Sequence, residues 1–110
     1  MEDKRAMTPK RARELGYLTE YAYMPPIGQW TGKLIAKCWG NGVNIICFFE
    51  HVDTGNKYQL SAWRHKENIY RPKDDGINFS QKGMEKQIFL IETQLNSKGK
   101  PVWISAIPLA

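Results

Sequence analysis

The segment that decides the fold is 30–63, which reads WTGKLIAKCW, GNG, VNIICFFEHV, DTGN and KYQLSAW in order. Three stretches rich in β-branched and aromatic residues alternate here with two short polar stretches that contain glycine. Asn41-Gly42 is the strongest short hairpin signal, and Asp53-Thr54-Gly55-Asn56 indicates a second turn. The pattern therefore predicts three consecutive antiparallel strands, over residues 30–39, 43–52 and 57–65, that form a meander.

Two-residue turns at Asn41-Gly42 and Thr54-Gly55 set the register of these strands. The pairs expected on one face are Leu34–Phe49, Ala36–Cys47, Cys38–Ile45, Phe49–Leu60 and Cys47–Ala62. Because both turns place apolar residues on this face, we assign it to the core. A shift by one residue would bring Lys33, Lys37 and Gln59 into the core instead.

The opposite face of the meander is aromatic and basic. Its members are Lys33, Ile35, Lys37, Trp39, Ile46, Phe48, Glu50 and Trp63, with Lys37, Ile46 and Trp63 in one row. Aromatic rings stack on unpaired bases, and lysines attract phosphates. The face is therefore a candidate site for single-stranded nucleic acid. Basic and aromatic residues from the flanking segments extend it: Arg64, Tyr70, Arg71 and Lys73 after the third strand, and Lys10, Arg11 and Arg13 before the first.

Two other interpretations of this face stay open. The apolar residues Leu15, Tyr17, Leu18 and Tyr21 of the N-terminal section can cover it and make a second layer of core. Alternatively, the face can bind a partner protein or a second copy of the chain. Tryptophan, tyrosine and arginine are as typical of protein interfaces as of base stacking, so residue types do not separate these interpretations.

The rest of the chain completes one small domain over residues 8–110, preceded by a flexible tail over 1–7. Thr8 as cap, Pro9 in the first turn and Gly16 as terminator predict a short helix. Residues 66–85 read as a long loop, and strands over 87–95 and 102–107 form a second hairpin. The fold class expected is mainly β, as a small five-stranded OB-like or SH3-like barrel or a curved antiparallel sheet with a short N-terminal helix.

Charge and cysteine content limit the partners and the compartment. The 110 residues carry a formal net charge of +5 at a pI of about 9.3, which favours a polyanionic partner. Only Cys38 and Cys47 are present, without a C-x-x-C pair, so we expect buried reduced thiols rather than a disulfide framework or zinc site. No apolar run is long enough to cross a bilayer and no signal region is evident, so the expected location is the cytoplasm.

No residue pattern indicates a reaction. Asp53-Thr54-Gly55 has the letters of the aspartic-protease triplet, but its polar surroundings favour a hairpin turn. His51 and His65 are the only histidines and are expected far apart, with His51 facing inward near Tyr58. We therefore expect no enzyme, no metal and no cofactor. The function predicted is non-enzymatic binding of nucleic acid, with a protein-binding adaptor or inhibitor as the alternative and a homodimer as one form of it.

Overall fold

Two short helices form at the N-terminus because capping residues surround them. The computed structural model describes residues 6–40, 44–63, 79 and 82–109, apart from the side chains of Trp63 and Trp103. Helix α1 spans Pro9–Glu14 and helix α2 spans Tyr17–Glu20. The Thr8 hydroxyl accepts from the backbone N–H of Arg11 (3.2 Å), and Gly16 takes a left-handed φ of 84°. The predicted helix is confirmed, and α2 is a further turn that the pattern does not predict.

The chain before α1 is attached to the sheet. The backbone N–H of Met7 donates to the Lys37 carbonyl (2.9 Å), and the Met7 carbonyl accepts from the N–H of Trp39 (2.9 Å). Ala6 is buried. Residues 6 and 7 of the tail predicted over 1–7 are therefore held against Lys37 and Trp39, through backbone groups of that strand. The remaining residues of that tail, 1–5, lie outside the described part of the chain.

Five antiparallel strands form one curled sheet, a half-barrel. They are β1 (Gly28–Trp39), β2 (Asn44–His51), β3 (Lys57–Trp63), β4 (Ile88–Leu95) and β5 (Pro101–Leu109), in the order β3-β2-β1-β4-β5. The predicted mainly β class and the five strands are confirmed. Of the predicted architectures, the structure shows the curved sheet with a short N-terminal helix. No ladder joins β3 to β5 among the described residues.

A β-bulge at Ile35 divides β1 into two parts. Leu34–Phe49 pairs as predicted and Lys33 pairs with Glu50, but beyond the bulge the pairs are Ala36–Phe48, Lys37–Cys47, Cys38–Ile46 and Trp39–Ile45. The predicted pairs Ala36–Cys47 and Cys38–Ile45 are therefore wrong. An extra residue in one strand reverses which face every later side chain of that strand occupies. Lys37 and Trp39 consequently lie on the inner face, and Ala36 and Cys38 on the outer face.

The β2–β3 register differs from the prediction by two residues. Cys47 pairs with Leu60 and Phe49 pairs with Tyr58. The difference arises at the turn, where the Gly55 N–H donates to the His51 carbonyl (2.8 Å), leaving a loop of four residues over 52–55 rather than two. A shift by two preserves the face of each side chain, so the assignment of β2 and β3 to inner and outer faces is confirmed. The predicted turn at 53–56 is also confirmed, whereas Asn41-Gly42 lies outside the described residues.

The sheet has a buried apolar cluster on each face. The inner core contains Trp30, Leu34, Ile45, Cys47, Phe49, Leu60, Phe79, Met84, Phe89 and Ile91, among others. The outer core contains Ala12, Tyr21, Ala36, Cys38 and Phe48. The two cysteines were expected on one face, but the bulge places Cys38 on the outer side and Cys47 on the inner side. Both thiols are buried and free, as predicted.

Candidate nucleic-acid interface

One part of the outer face lies beneath the two helices. We call this part, made of Ala36, Cys38, Ile46, Phe48 and Gln59 under α1 and α2, the helix-covered half. Phe48 is fully buried: Tyr17 stacks on it (ring centroids 5.1 Å apart, planes 24° apart) and Tyr21 meets it edge-on (5.2 Å, 65°). Of the three interpretations of this face, covering by the N-terminal section is the one that the structure shows.

Gln59 fixes α2 to the sheet by polar contacts. Its side chain is only 4% exposed, and its Nε2 donates to the carbonyls of Leu18 (3.2 Å) and Tyr21 (2.6 Å). The backbone N–H of Gln59 also donates to the Ala22 carbonyl (2.8 Å). Buried amides are stable where their donors are satisfied, so these bonds fix the position of the helices on the outer face.

Two of the residues predicted for the binding face point the other way. Lys37 is 2% exposed, and its Nζ donates to the Phe79 carbonyl (2.9 Å) inside the half-barrel. Burial lowers the pKa of this ammonium, an effect that the charge of Glu85 partly offsets. Trp39 packs partly buried against the inner core. The predicted row of Lys37, Ile46 and Trp63 is therefore wrong, and the bulge at Ile35 is the cause.

The predicted site residues are thus not brought together on one exposed face. Lys33 is on the outer face, partly buried, opposite Glu50 on β2 and Ile88 on β4. Phe48 is covered, and Lys37 and Trp39 lie inside. The side chain of Trp63 and the predicted residues of the following segment lie outside the described residues: Arg64, Tyr70, Arg71 and Lys73.

Positive charge nevertheless lies over the predicted face, on α1. Lys10, Arg11 and Arg13 are all exposed, and Ala12 between them is fully buried against the sheet. Arg11 pairs with Glu14, with Nη1 and Oε1 4.0 Å apart. Within the described residues, Lys10 and Arg13 form no ion pair. While Tyr17 and Tyr21 bury Phe48, the neighbouring helix α1 therefore presents cations to solvent.

The second part of the outer face is uncovered in the described residues. We call this part, formed by Ile88 and Leu90 on β4 with Ile107 and Leu109 on β5, the bare half. Ile88 pairs directly with Leu109, and Leu90 with Ile107. Exposure of the side chains reaches 36% at Ile88, 46% at Leu109 and 53% at Ile107. Four adjacent aliphatic side chains on an edge of a sheet are a surface that a partner can cover.

A group of aromatic residues at one end of the inner face was not among the predicted site residues. Trp30 stacks on His51, and Tyr58 meets Trp30 edge-on. The expectation that His51 faces inward near Tyr58 is consistent with this arrangement. The sequence signal for this group is period-two alternation, which places Trp30 and Leu34 on the same face as His51 and Tyr58 and by itself indicates only core packing.

Thiol and metal chemistry have little support in the described residues. Burial raises the pKa of Cys38 to about 11 and also raises the pKa of Cys47, so both remain protonated at neutral pH. Across residues 6–40, 44–63, 79 and 82–109, no three His, Cys, Asp or Glu side chains are placed to hold a metal ion. The same residues include no helix with the length and apolarity that crossing a membrane requires.

The chain matches no protein-family model, no curated protein and no solved structure.

Proposed function

We propose that this chain is a non-enzymatic nucleic-acid-binding module that holds single strands mainly through their phosphates. The observation that carries the proposal is α1, where Lys10, Arg11 and Arg13 are exposed on a helix fixed to the outer face by the buried Ala12. The overall charge of +5 supports the same partner, since excess positive charge raises the local concentration of polyanions.

The geometry favours single strands over duplex DNA. α1 has six residues and is therefore about 9 Å long, too short to serve as a recognition helix in a major groove. Cations on a short, fixed helix suit a flexible strand, which can bend to bring successive phosphates to them. Arg64, Arg71 and Lys73 remain sequence-based predictions for further phosphate contacts, and Tyr70 for a stacking contact.

The test is the salt dependence of oligonucleotide binding, measured by fluorescence anisotropy with a labelled single strand. Lys10→Gln with Arg13→Gln removes two phosphate contacts. The slope of log affinity against log salt should then become smaller by about 1.4, since each contact on a single strand contributes about 0.7. The matched control is Lys98→Gln with Lys100→Gln, two exposed lysines at the turn between β4 and β5.

The control pair carries the same change of charge but lies at a different part of the surface. Its slope should stay close to that of the unmodified chain. Equal losses in both pairs would show that net charge alone attracts the strand, and α1 would then not be the site. Absence of binding by the unmodified chain at low salt would reject the function itself.

The bare half favours a second candidate function, binding to a protein. Ile88, Ile107 and Leu109 expose aliphatic surface that nothing covers within the described residues. Four side chains are a small part of a standard interface of about 20–30 residues a side, so a contact centred on them alone is weak. We propose a second copy of the chain as the partner, because paired aliphatic rows such as Ile88–Leu109 can pack on the same rows of another copy.

Sedimentation velocity over a range of protein concentrations tests this second candidate. Ile107→Lys should keep the chain monomeric at concentrations where the unmodified chain associates, because a charge in the centre of an apolar contact opposes its burial. Gln94→Lys, an exposed position on the same strand pair, is the control and should leave association unchanged. A chain that is monomeric at every concentration would reject the candidate.

A further inference from the structure

The inner face ends in a small stack of aromatic rings whose base is Trp30. This side chain is 5% exposed and lies over Gly32, where a Cβ atom would come within 2.8 Å of its ring. His51 stacks on Trp30, with ring centroids 5.5 Å apart and planes 18° apart, and Tyr58 meets Trp30 at 68°. The missing side chain at Gly32 therefore allows Trp30 to lie close to the sheet and support the imidazole.

Hydrogen bonds fix both the backbone and the side chain of His51. Its backbone N–H donates to the Asn56 carbonyl (2.7 Å), and its carbonyl accepts from the Gly55 N–H (2.8 Å). Its Nδ1 accepts from the backbone N–H of Asp53 (3.1 Å). An Nδ1 that accepts a hydrogen bond leaves the proton of the neutral ring on Nε2. Nε2 has no partner among the described residues, so it is an available donor.

Two further observations distinguish this stack from ordinary core packing. The indole Nε1 of Trp30 is buried without a hydrogen-bond partner in the described part of the chain, which is uncommon for a buried donor. His51 and Tyr58 are only partly buried, although Trp30 beneath them is almost completely enclosed. Because Trp30 occupies one face of the imidazole, a further flat ring can stack only on the opposite face.

β3, the β-strand that carries Tyr58 of this stack, also carries an exposed cation. Lys57, next to Tyr58 on β3, is exposed, and its Nζ lies 5.7 Å from the centre of the Tyr21 ring. The Ala22 N–H donates to the Lys57 carbonyl (3.0 Å), which brings the segment after α2 along the same strand. Tyr23, the next residue, is 71% exposed. Lys57 and Tyr23 therefore place an exposed cation and an exposed ring on the outer face, beside the β-strand that carries Tyr58.

We propose that His51, supported by Trp30, is a stacking position for one unpaired base of a single-stranded nucleic acid. A flat base on the open side of the imidazole continues the stack as a third ring, and every base offers such a face. The Nε2–H of His51 can donate to an oxygen of the same nucleotide. The inference rests on the proposed nucleic-acid function and adds a base contact to the phosphate contacts at α1.

The experiment compares three versions of the full chain with a fluorescein-labelled oligothymidylate and with an abasic strand of the same length. His51→Ala should weaken oligothymidylate binding roughly 5- to 150-fold, the loss of one stacked base, whereas His51→Phe should stay within about threefold of the unmodified chain. On the abasic strand all three should bind alike. His51→Ala should also leave the salt slope close to that of the unmodified chain, because it removes none of the lysines and arginines proposed to contact phosphates.

The possible outcomes separate the two proposals. If the unmodified chain binds no oligonucleotide at low salt, the proposed function fails, and the base position fails with it. If the chain binds and His51→Ala binds oligothymidylate equally well, the function stands and the base position is rejected. If His51→Phe loses as much affinity as His51→Ala, stacking is also rejected. Circular dichroism melting of both variants identifies any loss that arises from unfolding.

Discussion

The helix-covered half and the bare half of the outer face have similar strands but different surroundings. Both present apolar side chains outward: Phe48 and Ile46 in one, Ile107 and Leu90 in the other. Phe48 is completely buried, whereas Ile107 is 53% exposed. The difference arises from α1 and α2, which pack on β1 to β3 and, in the described residues, leave β4 and β5 uncovered. Burial on this sheet is thus decided by a segment distant in sequence.

The contrast also separates two kinds of surface chemistry. Over the helix-covered half, the ring of Phe48 is enclosed and the exposed groups include the cations of α1. Over the bare half, aliphatic side chains are themselves the surface. The proposed phosphate binding belongs to the first half and the proposed protein contact to the second. Changes made in matched pairs across the two halves can test whether this division is correct.

The largest expected effect is the loss of the aromatic ring at the centre of the helix-covered half. Phe48→Ala should lower the free energy of unfolding by about 3–5 kcal/mol, because Tyr17 and Tyr21 pack on a ring with no exposed surface. Ile107→Ala in the bare half should change it by about 0.5 kcal/mol or less. Urea denaturation measures both, and similar losses would mean that the halves do not differ in burial.

The next effect is a loss of stability at alkaline pH. Burial raises the pKa of Tyr21 to about 12 from 10.0, so the folded state favours the protonated phenol. This contribution is complete below pH 10 and is lost as the pH rises towards 12, at about 2–3 kcal/mol in all. Tyr21→Phe has no proton to lose, so its stability should decline less over that range. Urea denaturation near pH 8 and pH 11 tests this, and parallel declines would contradict it.

An intermediate effect concerns the polar attachment of α2. Gln59→Leu removes the two bonds from Nε2 to the Leu18 and Tyr21 carbonyls, at a cost of about 1–3 kcal/mol. The matched control is Gln94→Leu on β4, where the amide is exposed and the expected change is about 0.5 kcal/mol or less. Amide hydrogen exchange should show faster exchange in α2 for Gln59→Leu alone.

The smallest effect is expected at the start of α1. Thr8→Ala removes the hydroxyl that accepts from the Arg11 N–H and should cost about 1 kcal/mol, whereas Thr8→Ser should retain most of the stability. Denaturation curves of the two variants give the comparison. A Thr8→Ser variant as unstable as Thr8→Ala would show that the cap is not the source of the loss.

Much of the fold follows from local patterns. Thr8, Pro9 and Gly16 predicted α1, and the polar stretch 53–56 predicted a turn that the structure contains. The five strands were predicted with ends that differ from the observed ones by a few residues. These features depend on neighbours in sequence: caps, glycine conformations and period-two alternation.

The candidate site was predicted less well, for one main reason. The bulge lies in Leu34-Ile35-Ala36, a run that is apolar throughout, so alternation gives no signal for an extra residue. Each of these residues is acceptable on either face. The bulge moved Lys37 and Trp39 inside, and the helices covered Phe48, so these three residues do not form the open binding face that was one of the predicted interpretations.

Local sequence was therefore sufficient for α1, the five strands, the positive charge and the apolar character of both sheet faces. Tertiary structure decided the rest: the face on which Lys37 and Cys38 lie, the covering of Phe48, and the stacking of His51 on Trp30. The physical reason is that each of these depends on contacts between residues far apart in the chain. Burial against such contacts can reverse a side chain's role without any change in local pattern.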